Sequence, residues 1–492
     1  MTEPPEPPKS EDHPRGQPRV GVDEWVAQAE GRTLGRGLAG VATERIDRLP
    51  PALRLLLLFG PLVFVPLLVS SDFIMQVALD TLLYVLLALG LNVAVGFAGM
   101  LDLGYVAFYG FGAYAYAWLA SDHFDVHWPA QAVVPLVVVA SAVLGFVVGL
   151  PSRRLFGDYL AIVTLFFLQI FLTVLLNADR LDFPFTERQV NLTRGPNGIS
   201  TVDSFNLFGY RITTLDQYFY LALITAAVVL AGLYLLNESR TGRAWRALRD
   251  DPLAAELMSM PVNRLRLLAF AFGAAVAGLA GTIFAAEQES VFPVNFDLTL
   301  LIILYAMVIL GGSGSLVGVA LGAVAINVSL EALRTPSNAS WLFYGLLLVL
   351  LPAVLRPWKR WAAVLAAVAA FGFAVHAFVD AIWSRGTAGA TIGEAWIDRL
   401  LDAWVLLPRD PELIGKWAYV VLILAVLGLT LLKGQARTAA FVPVLYLAAC
   451  VWENVLLQQP AVARYIMLGA MLVVLMAVRP QGFLGKTRVE IV

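Results

Sequence analysis

Asn237-Glu-Ser-Arg-Thr-Gly-Arg-Ala-Trp-Arg-Ala-Leu-Arg-Asp-Asp-Pro-Leu-Ala-Ala-Glu-Leu-Met-Ser-Met-Pro-Val-Asn-Arg-Leu-Arg266 is a hydrophilic island in an otherwise very apolar chain. It is bounded by the apolar runs Tyr218–Leu236 and Leu267–Ala286, each long enough to cross a hydrocarbon core about 30 Å thick. The island reads as two small amphipathic helices. In the first, Arg243, Arg246 and Arg249 share one face at three-residue spacing, with Trp245 and Leu248 on another. Asp251 caps the second, which has Pro252 at its first position and an apolar stripe of Leu253, Leu257 and Met260. Two capped helices held against one side of a membrane read as a docking surface for a soluble partner.

Composition sets the class. Of 492 residues, 59% are hydrophobic and 14% charged, against roughly 25% charged in an average soluble protein. Mean hydropathy is +0.76. Such a chain cannot cover itself with polar surface in water, so the fold class is all-α, a polytopic membrane helical bundle. Apolar runs place spans at Leu55–Val69, Phe73–Val95, Leu103–Ala120, Gln131–Leu150, Tyr159–Leu176, Tyr218–Leu236, Leu267–Ala286, Leu298–Leu310, Leu316–Leu333 and Trp341–Leu355. Four more follow at Trp361–Trp383, Trp417–Leu432, Ala439–Leu457 and Tyr465–Val478. Met1–Arg19, rich in proline and charge with no apolar signal-peptide core, reads as a disordered tail. The single Cys450 sits in an apolar run, which excludes an intramolecular disulfide.

Positive charge alternates between successive loops. One set carries Arg45, Arg48 and Arg54, then Arg153 and Arg154, the six island arginines, Arg356, Lys359 and Arg360, Lys433 and Arg437, and Arg479, Lys486 and Arg488. The other set is mixed or acidic, with Asp122, Asp125, Glu287 and Glu289. The positive-inside rule puts both termini and the island in the cytosol. Nothing in this distribution points to nucleic acid.

Several polar and small residues at membrane depth are candidates for function or packing. Gly314, Gly318 and Gly322 recur every four residues and suggest a small-residue face along one helix. Gly104, Gly110 and Gly112, interleaved with Tyr105, Phe108, Tyr109 and Tyr114, suggest an interrupted helix lining a cavity, or an interfacial aromatic belt. Asp80, Asn92, Asp102, Gln169 and Asn327 lie in or beside apolar runs, where polar groups are expensive and often functional; Asp102 serves equally well as a helix cap. The chain has no phosphate-cradling loop of its own. Gly485-Lys486-Thr487 ends like one, but Pro480 stands where the first glycine belongs. No histidine and carboxylate cluster supports a metal site.

The segment Gly242–Arg266 resembles the cytoplasmic coupling loop of ABC-importer permeases, in the form found in branched-chain amino acid importers. Leu101–Tyr114, Gly157–Thr164, Leu192–Ile199 and Ala306–Ala323 are similar, in the same order, to the LivM-type subunit of that family. A related urea-importer permease shares the loop and the glycines, but the Asp102-Leu-Gly-Tyr-Val-Ala-Phe-Tyr109 stretch favours the amino acid branch. The resemblance implies a fold of the ABC importer permease type, with about ten core helices, and uptake of leucine, isoleucine and valine by alternating access. Its implied partners are a homologous LivH-type permease, two ABC ATPase subunits and an extracytoplasmic substrate-binding protein in a bacterial inner membrane. It further implies no cofactor on this chain, since ATP and Mg are used by the partner ATPase. Coupling is then expected of Arg243, Arg246, Arg249, Asp251, Leu253, Ala254, Ala255, Glu256, Leu257 and Met260. The pathway is expected at Asn92, Asp102, Gly104, Tyr105, Phe108 and Tyr109, and helix packing at Gly311, Gly312, Gly314, Gly318 and Gly322. Ser259 departs from the family loop, which usually has glycine there. An ion-coupled secondary transporter is the rival reading; it requires no ATPase partner.

The C-terminal part departs further. Asn327–Pro357 and Asn454–Pro480 look like two copies of one hairpin end, as if about four helices had been inserted or duplicated. Residues 1–54 are then a cytosolic tail, 55–357 the permease core with its coupling loop at 237–266, 358–463 the extra block, and 464–492 the final helix and tail.

Overall fold

A computed structural model describes residues 60–69, 71–153, 158–179, 181–182, 189–207, 209–334, 340–341, 343–345, 358–383, 399, 401–408, 411–432, 434–458, 460–478 and 482. Residues 55–59 of the expected span Leu55–Val69, most of Trp341–Leu355 and both terminal tails lie outside them; the described part of the first span forms only the short helical turns Pro61–Phe64 and Val65–Leu68. The core helices are α1 (Asp72–Asn92), α2 (Tyr105–Leu119), α3 (Ala130–Gly149), α4 (Asp158–Asn177) and α5 (Leu215–Glu238). The island forms α6 (Arg240–Asp250) and α7 (Pro252–Leu257). After it come α8 (Val262–Gln288), α9 (Leu298–Gly311) and α10 (Leu316–Ala332). The C-terminal block holds α11 (Trp358–Ile382), α12 (Pro411–Leu431), α13 (Gly434–Gln458) and α14 (Pro460–Val478). Seven of the described helices are long and apolar enough to cross a membrane. The protein is an all-α polytopic bundle.

Helix α8 is the hub. It packs along α3, α2 and α1, while α9 and α10 pair with each other and with α1. Small residues set these distances. A Cβ on Gly112 would meet the Gly278 carbonyl at 2.4 Å, and one on Gly281 the Tyr109 carbonyl at 2.3 Å. Any larger residue would force α2 and α8 apart. The glycines of α2 therefore serve close packing in a continuous helix, not the expected interruption. The break falls just before it, where α1 ends in a π-helical segment, Val93–Phe97, followed by the turn that leads to α2.

The glycine face of α10 is shorter than expected. Gly318 and Gly322 lie within the helix and Gly311 ends α9; Cβ atoms on Gly311 and Gly322 would each meet backbone across the pair at 2.3 Å. Gly312 and Gly314 instead form the turn, at φ of 98° and 89°, a region that side chains other than glycine's disfavour. Asn327 Nδ2 donates to Thr81 Oγ1 at 2.7 Å, tying α10 to α1. This satisfies a buried amide within the bundle.

Short antiparallel ribbons cap the end opposite the island, a feature the apolar pattern does not signal. Ala120–Ser121 pairs with Val126–His127, and Ile199–Ser200 with Ser290–Val291. His127 Nδ1 lies 2.6 Å from Asp203 Oδ2. That hydrogen bond and charge raise the His127 pKa above its ordinary value of 6.5. A raised histidine pKa stabilises the fold fully below the unfolded value, and the contribution disappears as pH rises through the folded one. The stability difference between the wild type and Asp203→Asn should therefore be greatest below about pH 6.5 and fade on going alkaline. Thermal unfolding of the purified chain across pH checks this; a constant difference would show that the ion pair carries none of it.

Candidate functional site

The island is built as two capped helices. Ser239 Oγ accepts from Gly242 N at 3.3 Å to cap α6. Asp251 Oδ1 accepts from Leu253 N and Ala254 N at 2.9 and 3.0 Å to cap α7, as its sequence implies. Trp245 is fully buried, stacks on Phe97 and donates from Nε1 to the Leu265 carbonyl at 2.8 Å. That single side chain fixes α6 to both α1 and α8.

The arginine face is tied to backbone carbonyls of the chain itself, with Arg243 exposed and Arg246 and Arg249 half-buried. Arg243 and Arg246 donate to the Glu238 and Asn237 carbonyls, which are exposed acceptors at the end of α5. Arg249 reaches further, to the Gly96 carbonyl of the π segment and to the carbonyl and hydroxyl of Ser313 in the α9–α10 turn. Three-residue spacing places the guanidinium groups on one face, but the unsatisfied carbonyls at helix ends decide where they go. The outward surface of the island is different in kind. Leu253, Leu257 and Met258 are 71%, 85% and 76% exposed, with Ala254 and Glu256 exposed beside them. Ala255, 3% exposed, is the residue that seats α7 on the bundle, and Met260 is half-buried beyond the helix. The expected stripe thus gains Met258 and has Met260 outside the helix.

Between them Ser259 adopts φ of 61°. Left-handed backbone costs a residue with a side chain about 1–2 kcal/mol, so Ser259→Gly should relieve strain and firm the loop. The expected outcome is unchanged membrane abundance and slower proteolytic cleavage between α7 and α8; faster cleavage would mean the serine hydroxyl holds the turn.

The residues expected to form the pathway divide. Asp102 is buried, and its Oδ1 accepts from Gly104 N at 2.9 Å, so it acts as the cap of the turn entering α2. Tyr305 Oη bonds the Asp102 backbone on both sides. Asn92 is fully buried and accepts from Gly314 N at 2.8 Å. Tyr105 and Phe108 are buried in helix packing, Phe108 against Phe167. Of this set, Tyr109 borders a cavity of about 420 Å³ between α1, α2, α8, α9 and α14. Of the intramembrane acids singled out by their position in apolar runs, it is Asp80, not Asp102, that lines this cavity.

A polytopic helical bundle with a capped, apolar-faced island on one end and a cavity towards the other is a multi-pass membrane protein. Residues 73–355 match the family described as Branched-chain amino acid transport system / permease component, and the chain belongs to that family. It is 38% identical over 322 residues to the high-affinity branched-chain amino acid transport system permease protein LivM of Salmonella typhimurium, covering 60% of this chain and 72% of that protein. The LivM protein of Escherichia coli is 37% identical over the same shares. The LivH permease protein of Salmonella typhimurium is 28% identical over 265 residues, 51% of this chain and 82% of that protein. No solved structure matches. The chain is accordingly a transport component, and α11 to α14 lie beyond the family match.

Proposed function

We propose that this chain is the LivM-type permease of an ATP-driven importer of branched-chain amino acids. It works by alternating access beside a homologous LivH-type permease. Two ABC ATPase subunits bind ATP and Mg, and an extracytoplasmic protein delivers substrate. The island and both termini face the cytosol of a bacterial inner membrane. The observation that carries this reading is the outward face of α7, where Leu253, Leu257 and Met258 stand exposed on a helix that the chain itself caps and anchors. An apolar face kept rigid and uncovered at the aqueous end of a membrane protein is suited to a soluble partner.

Glu256, exposed on the same helix, supplies a charge at the rim. Removing one partner of a desolvated interfacial charge pair costs about 2–5 kcal/mol. Glu256→Lys should therefore lower leucine uptake at least tenfold and reduce ATPase co-purification, with normal membrane abundance. Full uptake by the variant would remove Glu256 from the interface. Failure of the unaltered chain to support ATP-dependent leucine uptake with its partners would overturn the reading as a whole.

A further inference from the structure

The cavity beside Tyr109 has a chemistry that the helix packing does not use. Its acid, Asp80, lies on α1, 16 residues before Gly96, or about 24 Å along the helix from the point where Arg249 holds α1. The C-terminal end of α8 and the N-terminal end of α9 border the same cavity, while their opposite ends meet the island and the Arg249 turn. The cavity therefore belongs to the half of the bundle remote from the coupling helices. Val294, 75% exposed, stands at its rim; Leu83, Leu87 and Tyr109, all at most 5% exposed, form its floor.

Two groups in it are left over. Asp80 takes one weak hydrogen bond, from Gln76 Nε2 at 3.4 Å, and Gln76 is closer to Glu287, at 3.0 Å. Among the described residues Asp80 has no cation within ion-pair distance. Tyr109 is 5% exposed, yet its hydroxyl has no hydrogen-bond partner among the described residues. That hydroxyl is within electrostatic reach of Tyr84, Asp80 and Glu287. A carboxylate held at membrane depth without an ion-pair partner among the described residues, beside a tyrosine that lines the same cavity, is a costly arrangement for packing alone. A bound cation would repay it, and the rings of Tyr84 and Tyr109 offer faces that attract one, whereas the Tyr465 ring already carries the Arg464 guanidinium 5.8 Å from its centroid. The wall is mixed: Asp297, Asn295 and Gln288 add polar groups, while Leu83, Leu87, Leu300 and Ile303 supply an apolar side, a combination that suits an ammonium group carrying a short hydrocarbon.

We infer that this cavity is a recognition subsite for the amino acid cargo, in which Asp80 and Tyr109 take its α-ammonium group and Leu83 and Leu87 receive its branched side chain. The inference rests on the import reading above and names where in this chain the cargo is held. Tyr465 brings α14, which lies beyond the family match, into the wall of the subsite.

The test uses the full chain with Val294→Cys in a Cys450→Ala background, labelled by a polar maleimide. L-leucine and leucinol, which lacks the carboxylate, should both slow labelling; 4-methylpentanoate, which lacks the amine, and sodium chloride should not. Asp80→Asn should raise the half-protecting leucine concentration at least tenfold, and Asp80→Glu should recover most of it. Should Asp80→Asn fail to accumulate, the comparison of leucinol with 4-methylpentanoate in the Val294→Cys chain decides alone. Equal protection by both, protection by sodium, or none at all overturns the subsite. Leucine uptake by the complete transporter is measured in parallel. Uptake without protection overturns the subsite and leaves the import reading; amine-selective protection without uptake does the reverse.

Discussion

Leu257→Asp is expected to cut leucine uptake to background while the protein still reaches the membrane in normal amount. Leu257 is 85% exposed and makes no contribution to the bundle that its loss could remove. Asp251 would still cap α7 and Ala255 would still seat it. What changes is the outward face. Burying a leucine side chain against a partner contributes about 1.5–3 kcal/mol, and an unpaired carboxylate in its place adds a desolvation cost of similar size or larger. A combined loss of about 4 kcal/mol is roughly a thousandfold in affinity. Co-purification with the ATPase should disappear together with uptake. Retained co-purification would mean that the partner contacts another surface, and loss of the protein itself would mean that Leu257 is covered within the chain's own assembly.

The outer architecture was legible because bilayer thickness writes itself into run length. The apolar run Tyr159–Leu176 became Asp158–Asn177, and Leu316–Leu333 became Leu316–Ala332, with differences confined to the ends. The Asp251 cap with Pro252 was equally readable, since capping is decided within three residues. Interior geometry was not. The π segment at Val93–Phe97 exists where Asn92, Gly96 and Gly314 crowd together, a meeting of residues more than two hundred positions apart. Periodicity predicted that Arg243, Arg246 and Arg249 share a face but said nothing of the carbonyls waiting at the end of α5 and in the α9–α10 turn. The same limit applies to the cavity. Asp80 and Tyr109 each stood out in sequence, one as an intramembrane acid and one in the aromatic glycine segment, but only the packing of α1 and α2 with α8 and α9 brings them to one cavity.

Arg249→Ala is expected to separate ATP hydrolysis from transport. Its guanidinium is the described side chain through which α6 reaches both the π-helical end of α1 and the turn between α9 and α10. The backbone is shaped around it. Gly99 and Gly314 have positive φ, and Cβ atoms there would come within 2.9 and 2.4 Å of the Arg249 side chain. Asn92 then braces the same turn from α1 by accepting from Gly314 N. A displacement of α6 is thereby passed to three membrane helices through one planar, multi-donor group. Hydrogen bonds from a charged donor contribute about 1.5–3 kcal/mol, so removing this group should lower uptake by about tenfold to a hundredfold. The ATPase should still co-purify and hydrolyse ATP, because the outward face of α7 is untouched. Arg249→Lys should rescue poorly, since a single ammonium cannot span the carbonyls of Gly96 and Ser313 together. Gly314→Ala should reproduce the defect from the other side of the contact, by straining the turn and obstructing the guanidinium. Uncoupled hydrolysis in Arg249→Ala and lost docking in Leu257→Asp are opposite signatures, so the pair locates the two faces of the island independently. Normal uptake in Arg249→Ala would shift the transmission to the Trp245 anchor on α8.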